Sequence, residues 1–187
     1  MSETVPEPLR LLESFVNSVD VEDDTDDLAT LEAFRAWLTS HGRPTVGQAA
    51  GTDDLDLARE LRDALRAELA AHATEPPAGR RDETLARIDA VAVGLPLRVR
   101  ISAAGMTLEP AADGVRAVLG EVVAAMLLAG EDGTWRRLKI CREETCQYAY
   151  YDWSKNGSKT WCSMRVCGNR NKTRAYRQRR IVGSARA

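Results

Sequence analysis

The stretch that decides the fold of the C-terminal part is residues 141–181, CREETCQYAYYDWSKNGSKTWCSMRVCGNRNKTRAYRQRRI. It contains all four cysteines of the chain, Cys141, Cys146, Cys162 and Cys167. Their spacing is C-x4-C-x15-C-x4-C, and two pairs of closely spaced thiols are typical of a structural zinc site. The sequence therefore predicts one structural Zn²⁺ ion held by these four cysteines.

Three alternatives compete with zinc, namely disulfides, an iron–sulfur cluster and four unrelated buried cysteines. Unrelated cysteines would scatter through the chain, whereas these occupy 27 of 187 positions in two matched pairs. Disulfides form in oxidising compartments, but the N-terminal sequence MSETVPEPLR has neither the basic start nor the apolar stretch of a signal peptide. Ferredoxin-type iron–sulfur sequences carry two-residue spacers between cysteines, and these spacers are missing here. Zinc is therefore favoured over all three alternatives, and we expect a cytoplasmic protein.

The residues between the two cysteine pairs predict a β-hairpin. Residues 147–154 are rich in Tyr and Trp, and Asn156-Gly157 follows them. Asn-Gly is preferred at the centre of a type I′ turn because both positions need positive φ. A two-residue turn there places Trp153 opposite Thr160. We therefore expect a second strand that ends at Cys162.

A helix is predicted after this second strand. Ser163 can cap its N-terminus, Cys167 falls in its first turn, and the helix runs to about Ile181. The helix dipole favours a thiolate in that first turn. Because Gly168 costs about 1 kcal/mol inside a helix, a start at Asn169 is an alternative. A zinc knuckle, a hairpin and a helix in this order predict a treble-clef-like zinc finger.

A short motif at the end of this stretch resembles a known family. The residues that carry the resemblance are Cys162-Ser163, Cys167-Gly168-Asn169-Arg170, Lys172, Tyr176-Arg177 and Arg179. They are similar to the CGNR zinc-finger family of bacterial proteins, which is named for the tetrad at 167–170. Members carry an N-terminal helical domain called ABATE. This chain is similar to that domain in Phe15-Val16-Asn17, in Trp37-Leu38, and in the segment from Leu61-Arg62 to Leu65-Arg66. The resemblance implies a stress-related transcription regulator.

The rest of the chain predicts a mainly α (α+β) protein. Apolar residues recur at helical spacing in five segments, around 11–19, 28–38, 53–69, 82–93 and 113–127. Arg43-Pro44 is expected to begin a linker, and the chain is expected to break around residues 75–79. After Pro96 the apolar residues alternate instead, which predicts one small β-hairpin. We therefore expect a helical domain over residues 1–132 and a zinc-finger domain over residues 133–187.

The charge of the chain is divided between its two parts. Residues 135–187 hold 14 Lys and Arg and three acidic residues, a formal charge of +11. The chain totals of 26 basic and 28 acidic residues then leave 12 and 25, or −13, for the residues before them. The acidic run DVEDDTDD at residues 20–27 is expected to be a solvated loop whose last Asp caps the next helix. Binding of a metal or of a basic segment is the alternative for this loop.

Basic residues crowd the predicted C-terminal helix, with no acid among them. They are Arg170, Lys172, Arg174, Arg177, Arg179 and Arg180. Basic side chains neutralise phosphates, so we predict that these six residues bind nucleic acid, with double-stranded DNA as the favoured partner. The alternatives are neutralisation of the negative four-thiolate zinc centre, binding of RNA or the ribosome, and docking of an acidic protein surface.

The sequence does not indicate catalysis. Four cysteines leave a zinc ion no open position, and the chain has no Gly-rich phosphate loop, nucleophile elbow or HExxH motif. The two histidines, His41 and His72, are expected near helix ends, where they face solvent or cap the helix. The longest apolar run, residues 122–129, is far shorter than the roughly 20 residues of a membrane span. We expect a protein that is not an enzyme and has no membrane partner. Its N-terminal domain could bind a small molecule or a partner protein.

Overall fold

The computed structural model describes residues 5–73, 79–103 and 105–184, with side chains up to residue 179. Within that part of the chain, the helices are α1 (Arg10–Val16), α2 (Leu31–Ser40), α3 (Pro44–Ala49), α4 (Thr52–Ala73), α5 (Arg80–Ala92), α6 (Gly114–Glu131) and α7 (Asn169–Ser184). The strands form antiparallel pairs, namely β1 (Val19–Asp20) with β2 (Thr25–Asp26), β3 (Leu97–Ser102) with β4 (Gly105–Pro110), and β5 (Leu138–Ile140) with β6 (Ala149–Tyr151). The predicted mainly α (α+β) class is confirmed.

Four helices, α1, α2, α4 and α6, supply most of the hydrophobic core. Their apolar residues recur at three- and four-residue spacing, which places them on one face of each helix. Five of these side chains have no exposed surface, namely Phe15, Phe34, Leu61, Leu65 and Val122. Burial of each such side chain contributes about 1.5–3 kcal/mol. Helix α6 occupies the core, as its unbroken apolar pattern predicted, and it contacts α1, α3, α4 and β4.

The β5–β6 hairpin shares this core. Leu138, Ile140, Ala149 and Tyr151 lie in one buried cluster with the helices, and β5 packs against α4. Asn17, at the end of α1, holds the hairpin by two hydrogen bonds. Its Nδ2 donates to Ala149 O (2.9 Å), and its Oδ1 accepts from Ala149 N (2.7 Å). The strands on either side of the first two cysteines are therefore anchored to the helical part of the chain.

The structure corrects three local predictions in the N-terminal part. Thr30, not Asp27, caps α2, because residues 26–29 first form a turn; Thr30 Oγ1 then accepts a hydrogen bond from the first turn of the helix (3.1 Å). Val19 is not helical but begins β1, which pairs with β2 across the acidic run. The expected linker is the short helix α3, because proline is favourable at the first position of a helix, where Pro44 lies. Of the predicted break at 75–79, residues 75–78 lie outside the described part.

The β3–β4 hairpin predicted from alternation is confirmed. Its base packs on α6 at Gly120, where an added Cβ would lie 3.2 Å from Pro110 Cβ. Its outer half projects, and Val99, Ile101 and Met106 are 65%, 78% and 76% exposed. The shorter pair β1–β2 is a second antiparallel pair in the helical part, and no pattern in the sequence indicated it.

The two histidines differ in their surroundings. His41 caps α2 as expected, because its Nδ1 donates to Trp37 O (2.7 Å). His72 is instead buried, with a side chain only 2% exposed. Its Nδ1 donates to Leu138 O (2.8 Å), and its ring lies edge-on to Trp135. The expectation that His72 faces solvent or caps a helix is therefore wrong, because the chain leading into β5 covers the last turn of α4.

Candidate metal centre and basic helix

The four cysteine side chains converge on one point. Their Sγ atoms all lie within 4.8 Å of one another, and the Cys146–Cys162 and Cys162–Cys167 Sγ separations are both 3.7 Å. Four sulfurs placed tetrahedrally about 2.3 Å from a zinc ion would lie about 3.8 Å apart, whereas a disulfide joins sulfurs about 2.0 Å apart. The four free thiols therefore fit one tetrahedral zinc ion and do not fit two disulfides.

The first ligand pair lies in the loop of the β5–β6 hairpin. Cys141 follows β5, and its N–H donates to Tyr148 O (2.9 Å). Cys146 N and Gln147 N both donate to Glu143 O (2.9 and 3.0 Å), which folds the intervening residues into a tight turn. Gln147 completes this turn with a φ of 49°. The zinc knuckle is therefore built inside a hairpin rather than ahead of one.

The predicted hairpin across Asn156-Gly157 is wrong. Residues 154–157 do form a turn, with Gly157 at a φ of 58°, but no second strand follows it among the described residues. Thr160, which we expected opposite Trp153, instead accepts a hydrogen bond from Arg142 N (3.1 Å) in the knuckle. The physical reason is that side chains bind the backbone groups that a second strand would use, since Lys159 N donates to Asp152 Oδ2 (2.9 Å) and Gly157 O accepts from Lys139 Nζ.

The second ligand pair lies at the start of the C-terminal helix. Ser163 caps this start as predicted, with its Oγ accepting from Val166 N (3.3 Å). One wide π-helical turn, Met164–Gly168, then carries Cys167, and regular α-helix begins at Asn169. Both helix starts considered from the sequence are therefore present. A π-helical turn follows the Ser163 cap, and the α-helix follows at Asn169.

Hydrogen bonds among the thiols divide the protons of the metal-free site unequally. The hydrogen bond between Cys162 and Cys141 lowers the pKa of Cys141 and raises the pKa of Cys162. Burial raises the pKa of Cys167. At neutral pH the metal-free site therefore keeps protons on Cys162 and Cys167. Zinc must displace these protons because it binds thiolates rather than thiols.

Glu143 connects the knuckle to the C-terminal helix. Its carboxylate is fully buried. Oε1 accepts from Arg174 Nη2 (2.7 Å) and Thr145 Oγ1 (3.2 Å), and Oε2 accepts from Asn171 Nδ2 (2.7 Å). The Asn171 amide also donates to Cys167 O (3.0 Å). The hydrogen bond from Arg174 lowers the pKa of Glu143, so the buried group is a carboxylate. These bonds fix the direction of α7 relative to the zinc ligands.

A second buried ion pair holds the loop that follows β6. Lys139 Nζ lies 2.7 Å from Asp152 Oδ2, and the two side chains are 5% and 0% exposed. Lys139 Nζ also donates to Gly157 O, and Asp152 Oδ2 accepts from Lys159 N (2.9 Å). Burial alone would raise the pKa of Asp152, but hydrogen bonds from Lys139 and Ser154 outweigh it and lower the pKa to about 2. The loop is therefore tied to β5 through Lys139 and to the residue that follows β6, Asp152.

Four arginines line one open groove along the basic helix. Arg170, Arg174 and Arg177 lie there as their helical spacing suggested, and Arg165 from the π-helical turn joins them. Two of these guanidinium groups are already paired. Arg174 binds Glu143, and Arg170 binds Glu22 from the acidic run. In this groove, neighbouring acids therefore orient Arg170 and Arg174. The other two arginines, Arg165 and Arg177, face solvent.

The remaining predicted nucleic-acid residues lie on the exposed part of α7. Every described side chain from Lys172 to Arg179 is exposed, so the helix projects from the rest of the chain. Among the residues with described side chains, Lys172, Arg177 and Arg179 have no ion-pair partner. Arg180 lies on α7, but its side chain is outside the described part.

Two family models match the chain. Residues 137–180 match the CGNR zinc finger. Residues 9–139 match the ABATE family, whose description is "Putative stress-induced transcription regulator". The chain belongs to the ABATE family. The resemblance stated from the sequence is therefore confirmed. No match was found among the curated proteins.

The CGNR finger of this ABATE family member contains one four-cysteine zinc site, formed by Cys141, Cys146, Cys162 and Cys167. A zinc finger in a family with this description indicates nucleic acid as the general class of partner. In the described part of the chain, no helix is both long enough and apolar enough to cross a membrane.

Three residues that build the CGNR finger were missed by sequence reasoning. Glu143, Asp152 and Lys139 are all buried and paired, yet each was counted only as part of the charge total. One signal was available, because Glu143, Glu144 and Asp152 are the three acids among residues 135–187. An acid isolated in a strongly basic segment is a candidate for a buried ion pair.

Proposed function

We propose that the chain is a transcription regulator that binds double-stranded DNA through its C-terminal helix. The residues assigned to this contact are Arg170, Lys172, Arg174, Arg177, Arg179 and Arg180. The observation that carries the proposal is the exposure of α7, whose described side chains from residue 172 to residue 179 all face solvent. A helix that is exposed along residues 172–179 buries little of that surface against its own chain. Its basic surface is therefore available to a partner.

The groove along α7 suits a phosphate backbone. Arg170, Arg174 and Arg177 recur at helical spacing and span about 10 Å at 1.5 Å per residue. The major groove of B-DNA, about 12 Å wide, admits an α-helix, and arginines on its flank reach phosphates. The major groove of an RNA helix is too deep and narrow for side chains to read. This difference favours DNA over double-stranded RNA as the partner.

Zinc has a structural role in this proposal. Four thiolates close the coordination sphere, which leaves no position for a substrate or a reactive water, so we propose no enzymatic activity. The knuckle within a hairpin and the second ligand pair at a helix N-terminus support a treble-clef-like finger. Zinc holds Cys167 against the helical part of the chain, and it thereby fixes the start of α7 there.

The compartment follows from the thiol chemistry. A four-cysteine zinc site needs reduced thiols, and glutathione and thioredoxin keep thiols reduced in the cytosol. We therefore propose that the protein works in the cytoplasm, where bacterial DNA is also found.

Recovery of the bound nucleic acid tests the proposed function. The zinc-loaded chain is purified without nuclease, and the nucleic acid that accompanies it is sequenced. We expect DNA enriched for defined sites. The double variant Arg177→Gln/Arg179→Gln should lose this DNA. The matched double variant Arg80→Gln/Arg87→Gln, which removes the same charge from exposed positions on α5, should retain it.

Two other outcomes would replace the proposal. Enrichment of structured RNA, lost in the same helix variant, would assign the finger to RNA or ribosome binding. Recovery of an acidic protein without nucleic acid would assign it to an adaptor role.

A further inference from the structure

The acidic run is a structured loop, and most of its residues are exposed to solvent as expected. Strands β1 and β2 pair at its two ends, with Val19 opposite Asp26. Asp20 Oδ1 accepts hydrogen bonds from Glu22 N (2.8 Å) and Asp23 N (3.1 Å), which shape the turn. Asp26 forms an ion pair with Arg62 of α4, whose side chain is 6% exposed. The loop is therefore held in one place on the helical part of the chain.

The tip of this loop contacts the basic groove. Glu22 Oε1 binds Arg170 Nη2, although the two residues are 148 positions apart in the sequence. Their side chains are 46% and 41% exposed, so the pair lies at the surface. Arg170 lines the same groove as Arg177. An acidic side chain thus occupies one end of the surface assigned to phosphates.

We propose that the loop of residues 20–27 is a built-in competitor of nucleic acid for the basic groove, acting through the Glu22–Arg170 pair. This inference rests on the proposed function of α7. A phosphate that binds Arg170 must first displace the Glu22 carboxylate, because both anions use the same guanidinium N–H groups. The opposite charges of the two parts of the chain, −13 and +11, act in the same direction.

The strength of the effect follows from the exposure of the pair. Exposed ion pairs are weak and screened by salt. The loop therefore lowers affinity rather than preventing binding. We expect Glu22→Gln to tighten binding by about two- to five-fold at low salt, the size expected when one exposed pair no longer competes.

The experiment compares Glu22→Gln with wild type as zinc-loaded full chains. Binding to a labelled duplex of about 30 base pairs is measured at roughly 50 mM and 300 mM salt, on either side of the range in which screening becomes strong. The gain should be present at the lower concentration and should nearly vanish at the higher one. Glu83→Gln, which removes the same charge from an exposed position on α5, should leave the affinity within about 1.5-fold of wild type.

A double-mutant cycle separates a local contact from a general charge effect. In an Arg170→Gln background the Glu22→Gln gain should disappear, because the contact is already broken. A gain that persists in this background would overturn the inference in favour of long-range repulsion. So would equal affinities of Glu22→Gln and wild type while Arg177→Gln still weakens binding, and in that case the proposed function would stand. If wild type bound no nucleic acid at all, the proposed function would fail, and this inference with it.

Discussion

Arg174 Nη2 donates a 2.7 Å hydrogen bond to the buried carboxylate of Glu143, and this bond joins the zinc knuckle to the helix that projects from it. The arginine has two roles as a result. It lines the basic groove, and it also neutralises an acid that would otherwise be buried without a charged partner. A loss of nucleic-acid binding on mutation of Arg174 would therefore not show that Arg174 contacts nucleic acid.

The first prediction separates these two roles by stability. Arg174→Gln should lower the free energy of unfolding clearly, because it removes a hydrogen bond to a buried charged group. Arg177→Gln, on the exposed part of the same helix, should change it by less than about 0.5 kcal/mol. Urea denaturation of the zinc-loaded chains measures both values. Equal stabilities of the two variants would show that the Glu143 contact does not support the fold.

The second prediction concerns the buried pair Lys139–Asp152. Lys139→Met should destabilise the chain by about 3–5 kcal/mol, because it leaves Asp152 buried without its charged partner. Lys155→Met removes an exposed lysine from the loop that this pair holds, and it should change stability by less than about 0.5 kcal/mol. Thermal denaturation of the two variants side by side measures the difference. A Lys139→Met chain as stable as wild type would contradict the role assigned to the pair.

The third prediction concerns removal of the metal. Elemental analysis should give about one zinc per chain, and Cys146→Ser should abolish this stoichiometric binding, because a small metal module depends on its ion. Since Leu138 and Tyr151 belong to the common core, metal loss should also lower the thermal midpoint of the helical part. Far-ultraviolet circular dichroism on zinc-loaded and chelated chains follows this change. Stoichiometric iron, or a metal-free chain of unchanged stability, would be incompatible with a structural zinc site.

The fourth prediction concerns pH. The raised pKa values of Cys162 and Cys167 mean that the metal-free site carries protons at neutral pH, and zinc binding releases them. Zinc affinity should therefore rise with pH, and fall as acid returns protons to the thiolates. Each displaced proton corresponds to about a ten-fold gain in affinity per pH unit. Chelator competition between about pH 6.5 and 7.5, just below the range in which thiols titrate, measures the slope of zinc affinity against pH. Isothermal titration in buffers of different ionisation enthalpy measures the proton release. A pH-independent affinity would show that the thiols are already ionised.

The parts of the fold that the sequence predicted well depend on local patterns. The cysteine spacing predicted the metal site because two matched pairs of closely spaced cysteines are typical of zinc ligands. The unbroken apolar spacing of α6 predicted its burial, and the alternation after Pro96 predicted β3 and β4. In each case the residues that carry the signal also form the element.

The parts that were missed depend on contacts between distant residues. Asn156-Gly157 is a strong local turn signal and does form a turn, but the strand beside it pairs with Leu138–Ile140, a segment too short to stand out in the sequence. The burial of His72 depends on the chain that covers it near Trp135. The pairing of Glu22 with Arg170 joins opposite parts of the chain, and a charge count predicts attraction between those parts but not which residues meet.

The salt dependence of DNA binding tests the central claim, that the projecting basic helix binds nucleic acid, most directly. If the zinc-loaded chain neutralises about five to seven phosphates, log K should fall against log[salt] with a slope of roughly −4.5 to −6 on duplex DNA. Arg177→Gln should flatten this slope by about 1 and weaken binding to all sequences alike, while Arg80→Gln should leave it unchanged. Zinc content should be the same in all three proteins. A wild-type slope near zero, or an Arg177→Gln slope equal to that of wild type, would contradict the assignment of α7 as the nucleic-acid surface.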